Sequence, residues 1–135
     1  MELTPYLNFE GNAEEVLDFY KDALDGEIVM ISRYKEAPMP SDEDWKNKIM
    51  HARLKFGKNM IMISDGPKDF KTTFNGNIQL SIEVEDENKM EEVFNKLAAG
   101  GKITMPLQKQ FWGAKFGMLT DKFGTGWMLS HQENQ

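Results

Sequence analysis

The residues best suited to chemistry sit in the stretch IMHARLKF, which holds His51, one of only two histidines in the chain. Strand alternation would put His51, Arg53 and Lys55 on one face and Met50, Ala52, Leu54 and Phe56 on the other. With the apolar face against a core, an imidazole and a guanidinium would point toward a ligand. The first could act as a general base and the second could hold an anion. The same pair also fits plain hydrogen bonding to a neighbouring strand or a subunit contact. A second candidate is FWGAKFGMLTDKFGTGWMLS. Here Trp112, Phe116 and Met118 share a strand face and Trp127 falls on the next strand, so these side chains would either fill a core or stack on a flat or apolar ligand. Asp65 and Asp121, in ISDGP and LTDKFG, each end a strand before a turn, where local backbone bonding explains an aspartate without any catalysis.

Composition narrows what such groups could serve. With no cysteine, disulfides, thiolate metal sites and thiol nucleophiles are excluded. A net charge of −6, a pI near 4.9 and the lack of a basic cluster argue against nucleic acid as the partner. The start, MELTPYLNFEG, lacks the basic and apolar regions of a signal peptide, and no apolar run is long enough to span a bilayer. The expectation is a cytoplasmic protein of one domain over 1–135, whose partner is a small molecule or another copy of itself.

The apolar period changes in a regular order. Residues 3–9 alternate as a strand, with Leu3, Pro5, Leu7 and Phe9 on one side and Tyr6 and Asn8 on the other. Next comes a helix, with Asn12 as cap, Glu15 at the reciprocal position, Val16, Leu17, Tyr20 and Leu24 as its stripe, and Gly26 as its stop. Three strands follow, EIVMISRY, IMHARLKF and NMIMISD, the last two joined at GKN. The acidic segment 36–44, followed by Trp45, reads as an exposed loop able to act as a lid. The same strand–helix–strand–strand–strand order then returns from NIQLSIEVE onward. FYKDALDGEIVM lies over FNKLAAGGKITM without a gap, matching Phe19 to Phe94, Gly26 to Gly101, Ile28 to Ile103 and Met30 to Met105. The chain is an internal duplication, with modules over 1–66 and 76–131.

The duplicated βαβββ module resembles the vicinal oxygen chelate superfamily of glyoxalases, bleomycin-resistance proteins and extradiol dioxygenases. PYLNFEGNAEEVLDFY, MHARL, MISDG, LAAGGKITMPL and the closing W-G-x-x-F-G-x-x-x-D-x-x-G-x-x-W resemble its PhnB-like branch over nearly the whole chain. The resemblance implies an α+β fold of tandem modules forming a curved mixed sheet with a helix over each half. It also implies a homodimer with ligand clefts at or near the subunit boundary. The polar sheet face would carry Tyr6, Asn8, His51, Arg53, Gln79 and Ser81, with Trp112, Phe116, Met118 and Trp127 as aromatic and thioether wall.

Metal-dependent members of that superfamily hold a divalent ion with His, Gln or Glu on the first and fourth strands of each module. Carried over by position, those corners fall on Thr4 or Pro5, Met62, Asn77 and Met128. Two thioethers do not replace carboxylate or imidazole donors. The expectation is therefore no metal and no cofactor. The methyltransferase description common in the branch gains no support, since no glycine-rich loop follows the first strand. The sequence points to a metal-independent binder of an apolar or aromatic small molecule. Its alternative is a lyase, isomerase or transferase using His51 as base or as ligand of a non-standard metal site.

Overall fold

A computed structural model describes residues 1–132. The chain divides into two compact units between Thr73 and Phe74. In the first, strand β1 (Tyr6–Asn8) leads into helix α1 (Ala13–Leu24). Strands β2 (Glu27–Arg33), β3 (Ile49–Phe56) and β4 (Asn59–Ser64) follow, in the sheet order β1-β4-β3-β2. In the second, β5 (Gln79–Glu83), α2 (Glu87–Ala98), β6 (Lys102–Lys109), β7 (Ala114–Thr120) and β8 (Gly126–Gln132) repeat the plan in the order β5-β8-β7-β6. In each unit the first and last strands pair in parallel and the remaining pairs are antiparallel. These are the tandem βαβββ modules of an α+β protein that the repeat predicts. No described helix is long and apolar enough to cross a membrane.

Each helix covers one face of its own sheet. Val16, Leu17 and Tyr20 of α1 are fully buried, as are Ala52, Leu54 and Ile63 of the strands beneath. In the second unit Met90 and Leu97 of α2 are buried with Leu129 and Trp127. Side chains of this size contribute roughly 1.5–3 kcal/mol each when removed from water. The opposite sheet face of the first unit mixes polar side chains with thioethers, and that of the second is mainly thioether and aromatic.

The structure corrects several local expectations. Only Tyr6–Asn8 form β1, and Leu3 is fully exposed rather than part of an oily strand face. Asn12 makes no side-chain cap. The cap comes from Asp65, whose Oδ1 accepts from the backbone N–H of Gly11 at 2.9 Å and of Ala13 at 2.8 Å. Asp25, not Gly26, adopts the left-handed conformation that ends α1. Gly26 sits where space is short instead: a Cβ there would lie 3.0 Å from the Lys55 carbonyl oxygen. Its repeat partner Gly101 is tighter still, with 2.4 Å to the Thr120 carbonyl. The residue match at the helix-to-strand junction thus has a steric cause, because both chains turn flat against a neighbouring strand.

Candidate functional site

In the first unit, the sheet face away from α1 carries a straight row across all four strands. Met30 pairs with Arg53, Arg53 with Met62, and Met62 with Tyr6. Pairing in register puts these side chains on the same face. His51 lies one pleat along β3 from Arg53, opposite Ser32. Asn8 lies one pleat along β1 from Tyr6, opposite Ser64. The sequence expectation that Tyr6, Asn8, His51 and Arg53 share a polar face holds within this unit.

Three of these four residues are linked. Tyr6 Oη is 3.0 Å from His51 Nδ1, with the two rings 5.5 Å apart, and Arg53 Nε donates to His51 Nε2 at 3.2 Å. An arginine nitrogen cannot accept a hydrogen bond, so Nε2 must present its lone pair. A neutral imidazole has a single N–H, which is then on Nδ1 and donates to the Tyr6 oxygen. Burial, and after it the Arg53 charge, holds the His51 imidazole below its ordinary 6.5, in keeping with a neutral ring. Tyr34 lies in the 3-10 turn Tyr34–Glu36 that follows β2, a place the sequence does not mark. Burial pushes its phenol above the usual 10.0, partly offset by a hydrogen bond with Ser64. Nothing in the local pattern marks it, since it reads as the edge of the acidic loop.

The second unit offers a different face. The equivalent row runs Met105, Met118, Met128, Ser81. Phe116 is half-buried one pleat from Met118, and Trp112 meets it edge-on at 6.0 Å. Gln79 lies over Gly126, where a Cβ would be 3.0 Å from its Cγ. Trp112 precedes β7 rather than belonging to it, in a turn where Gly113 takes φ +94 and its N–H donates to the Gln110 carbonyl.

Trp127 is not on this face. It is 1% exposed, points toward α2 with Leu129, and its indole N–H donates to Asp121 Oδ2 at 2.9 Å. Asp121 Oδ1 accepts from the N–H groups of Phe123 and Thr125, while Gly124 takes φ +96 in the same turn. Gly117 lies against the helix, since a Cβ there would be 2.9 Å from Phe94. Much of the closing D-x-x-G-x-x-W motif is therefore fold chemistry: a buried carboxylate ties a turn to the core indole. Asp65 has the same character, holding the N–H of Ile49 with Oδ2 as well as the start of α1.

The segment 36–44 is fastened rather than loose. Trp45 Nε1 donates to the Gly66 carbonyl at 3.0 Å, and Lys68 pairs with Asp42 and Asp44.

A metal of the superfamily kind does not fit. The fourth-strand corners are thioethers, Met62 and Met128, and the described residues include no group of three or more His, Asp or Glu side chains able to hold an ion. A methyl-donor nucleotide fits no better at the first turn. The N–H groups of Gly11 and Ala13 are consumed by Asp65, and the Gly11 carbonyl by Lys48 Nζ at 2.9 Å. An internal carboxylate already occupies the anion site that a helix start would offer.

The tandem modules and their sheet order define a protein of the glyoxalase and bleomycin-resistance fold. A domain from Frankia described as glyoxylase/bleomycin resistance protein/dioxygenase superposes with a TM-score of 0.69 at 15% identity, covering 98% of each chain, which speaks for the fold alone. The chain belongs to the PhnB-like family: residues 1–130 match the family model described as 3-demethylubiquinone-9 3-methyltransferase. Protein PA1353 from Pseudomonas aeruginosa is 37% identical with a TM-score of 0.88, covering 99% of each chain. Protein YjdN from Escherichia coli strain K12 is 31% identical over all of this chain and 98% of its own length.

Proposed function

We propose that the chain is a small-molecule binding protein that works without a metal, and that the first unit's open sheet face is where the ligand contacts it. The observation that carries this reading is the Tyr6–His51–Arg53 cluster. It is built on a rigid sheet, is open to solvent, and is paired with no described carboxylate. The second unit, taken by itself, carries a half-buried Phe116 and an exposed Trp112, aromatic surface of the kind that binds flat apolar groups.

The enzyme reading has less support. A general base needs a free lone pair within reach of a substrate proton. Here the Nε2 lone pair of His51 is covered by an arginine N–H and Nδ1 faces a phenol. Methyl transfer finds no donor site at the start of α1, where Asp65 and Lys48 already engage the backbone groups. Native mass spectrometry of protein purified under mild conditions tests the proposal. A retained small molecule, kept after EDTA treatment and lost on mutating the cluster, is expected. Retention abolished by EDTA, or no ligand recovered across a metabolite panel, would overturn it.

A further inference from the structure

The duplication supplies an internal control for the cluster. Row for row, Arg53 corresponds to Met118 and Tyr6 to Ser81, while His51 corresponds to Phe116. The second unit makes the same strands, in the same order, without any of the three polar groups. The fold does not require arginine, histidine or tyrosine at these places. Arg53 is one of only two arginines in a chain of net charge −6. The other, Arg33, is paired with a carboxylate: its two Nη atoms donate to Glu14 at 2.8 and 3.0 Å, and Nη1 also to the Asn47 carbonyl. Arg53 instead spends its Nε–H on a neutral ring, and no described carboxylate pairs with it.

The direction of the hydrogen bonds gives the ligand's chemistry. Arg53 donates to His51, and His51 donates to Tyr6. The Tyr6 oxygen therefore has its own O–H to give outward, and the Nη groups of Arg53 carry further N–H donors. Both outward ends of the chain are donors. Between them, in register with both, lies the thioether of Met62. On the reading that this face binds a small molecule, we propose that it takes the carboxylate of an organic acid, held by the Arg53 fork and the Tyr6 hydroxyl, with the acid's apolar body over Met62. One guanidinium and one hydroxyl match a singly charged carboxylate.

The test is an NMR titration of the full chain with sodium benzoate and, as its uncharged match, benzamide. Benzoate should shift the Arg53 Nε–H and His51 ring signals saturably, and benzamide should bind about tenfold more weakly or worse. Arg53→Met installs the residue that the second unit carries at the equivalent position, so folding should survive. It should weaken benzoate by about tenfold or more, and Tyr6→Phe by a smaller factor. Benzamide binding as well as benzoate, an Arg53→Met variant that binds benzoate unchanged, or shifts from neither probe would each overturn the carboxylate assignment. If a copurified neutral molecule persists in native mass spectrometry alongside any of those results, the small-molecule reading stands and only the carboxylate fails. If nothing is retained either, both fall.

Discussion

Asp65 closes the amino end of a helix that starts 52 residues earlier in the chain, its Oδ1 accepting from the Ala13 N–H at 2.8 Å. With its other oxygen it accepts from Ile49 at the head of β3. One side chain, 1% exposed, thereby locks α1, β3 and the end of β4 together.

Replacing Asp65 should accordingly cost far more than replacing an ordinary cap. Asp65→Asn keeps one acceptor but turns an NH2 toward a backbone N–H, and should lower unfolding free energy by about 2 kcal/mol or more. Asp86 caps α2 locally, accepting from Asn88 N at 2.8 Å in an exposed setting. Asp86→Asn should stay within about 0.5 kcal/mol of wild type, since asparagine caps as well. Urea unfolding of the two variants makes the comparison, and equal losses would contradict it.

His51 should report its tautomer directly. In nitrogen-15 spectra above neutral pH, Nδ1 is expected to carry the proton and Nε2 to be bare, because Arg53 donates to Nε2. Arg53→Met should release that preference. A protonated Nε2 in the wild type would break the chain of donors on which the carboxylate assignment rests.

The same ring should make stability depend on pH in a defined sense. Burial first, and the Arg53 charge second, hold its pKa in the folded chain below 6.5. Between the folded value and 6.5 the unfolded chain binds the extra proton, so stability rises with pH across that window. The contribution of neutral His51 is fully present above 6.5 and is lost as the pH falls through the folded value. His51→Phe, which copies Phe116 at the equivalent position, should flatten this part of the profile. An unchanged slope in denaturation midpoints between pH 5 and 8 would rule the effect out.

Closing the turn before β8 depends on Asp121 and Trp127, 2.9 Å apart and both buried. Trp127→Phe keeps most of the apolar volume but leaves Asp121 Oδ2 without its indole donor, at a cost of about 1–3 kcal/mol. The companion change Trp112→Phe, at a half-exposed ring, should cost under about 1 kcal/mol. Thermal unfolding of the pair separates a core indole from a surface one, and equal losses would contradict the assignment.

How much of this was legible in the sequence depended on whether the deciding contacts were local. The helices and strands followed from period, because Val16, Leu17 and Tyr20, or Met90, Val93 and Phe94, mark one side of a helix unmistakably. Tyr6, His51 and Arg53 could be placed on one polar face by alternation alone. Their linkage could not, since it depends on β1 and β3 both pairing with β4 in a particular register. The expectation that Trp127 lines the open face fails because GWMLS is apolar on both sides, and alternation cannot say whether Trp127 or Met128 faces the helix. Asp65 looked like a turn residue because the groups it holds, Gly11, Ala13 and Ile49, are remote in sequence.

The two junction glycines allow a graded test of the duplication. Neither Gly26 nor Gly101 has a positive φ, so an alanine at either would meet steric resistance from neighbours and no backbone penalty. At Gly26 the new methyl would lie 3.0 Å from the Lys55 oxygen and 3.1 Å from Leu54 Cδ1, a crowding that a small shift of β3 can relieve. At Gly101 it would lie 2.4 Å from the Thr120 oxygen and 2.9 Å from the Asp121 backbone, where the neighbouring atoms belong to a turn held by Asp121's own bonds. Gly101→Ala should therefore destabilise by about 2–3 kcal/mol and Gly26→Ala by about 1 kcal/mol or less. The second unit's excess should shrink in an Asp121→Asn background, where the turn is freer to move. Equal losses at the two glycines, or additive losses with Asp121→Asn, would show that the close approach at this junction does not limit stability.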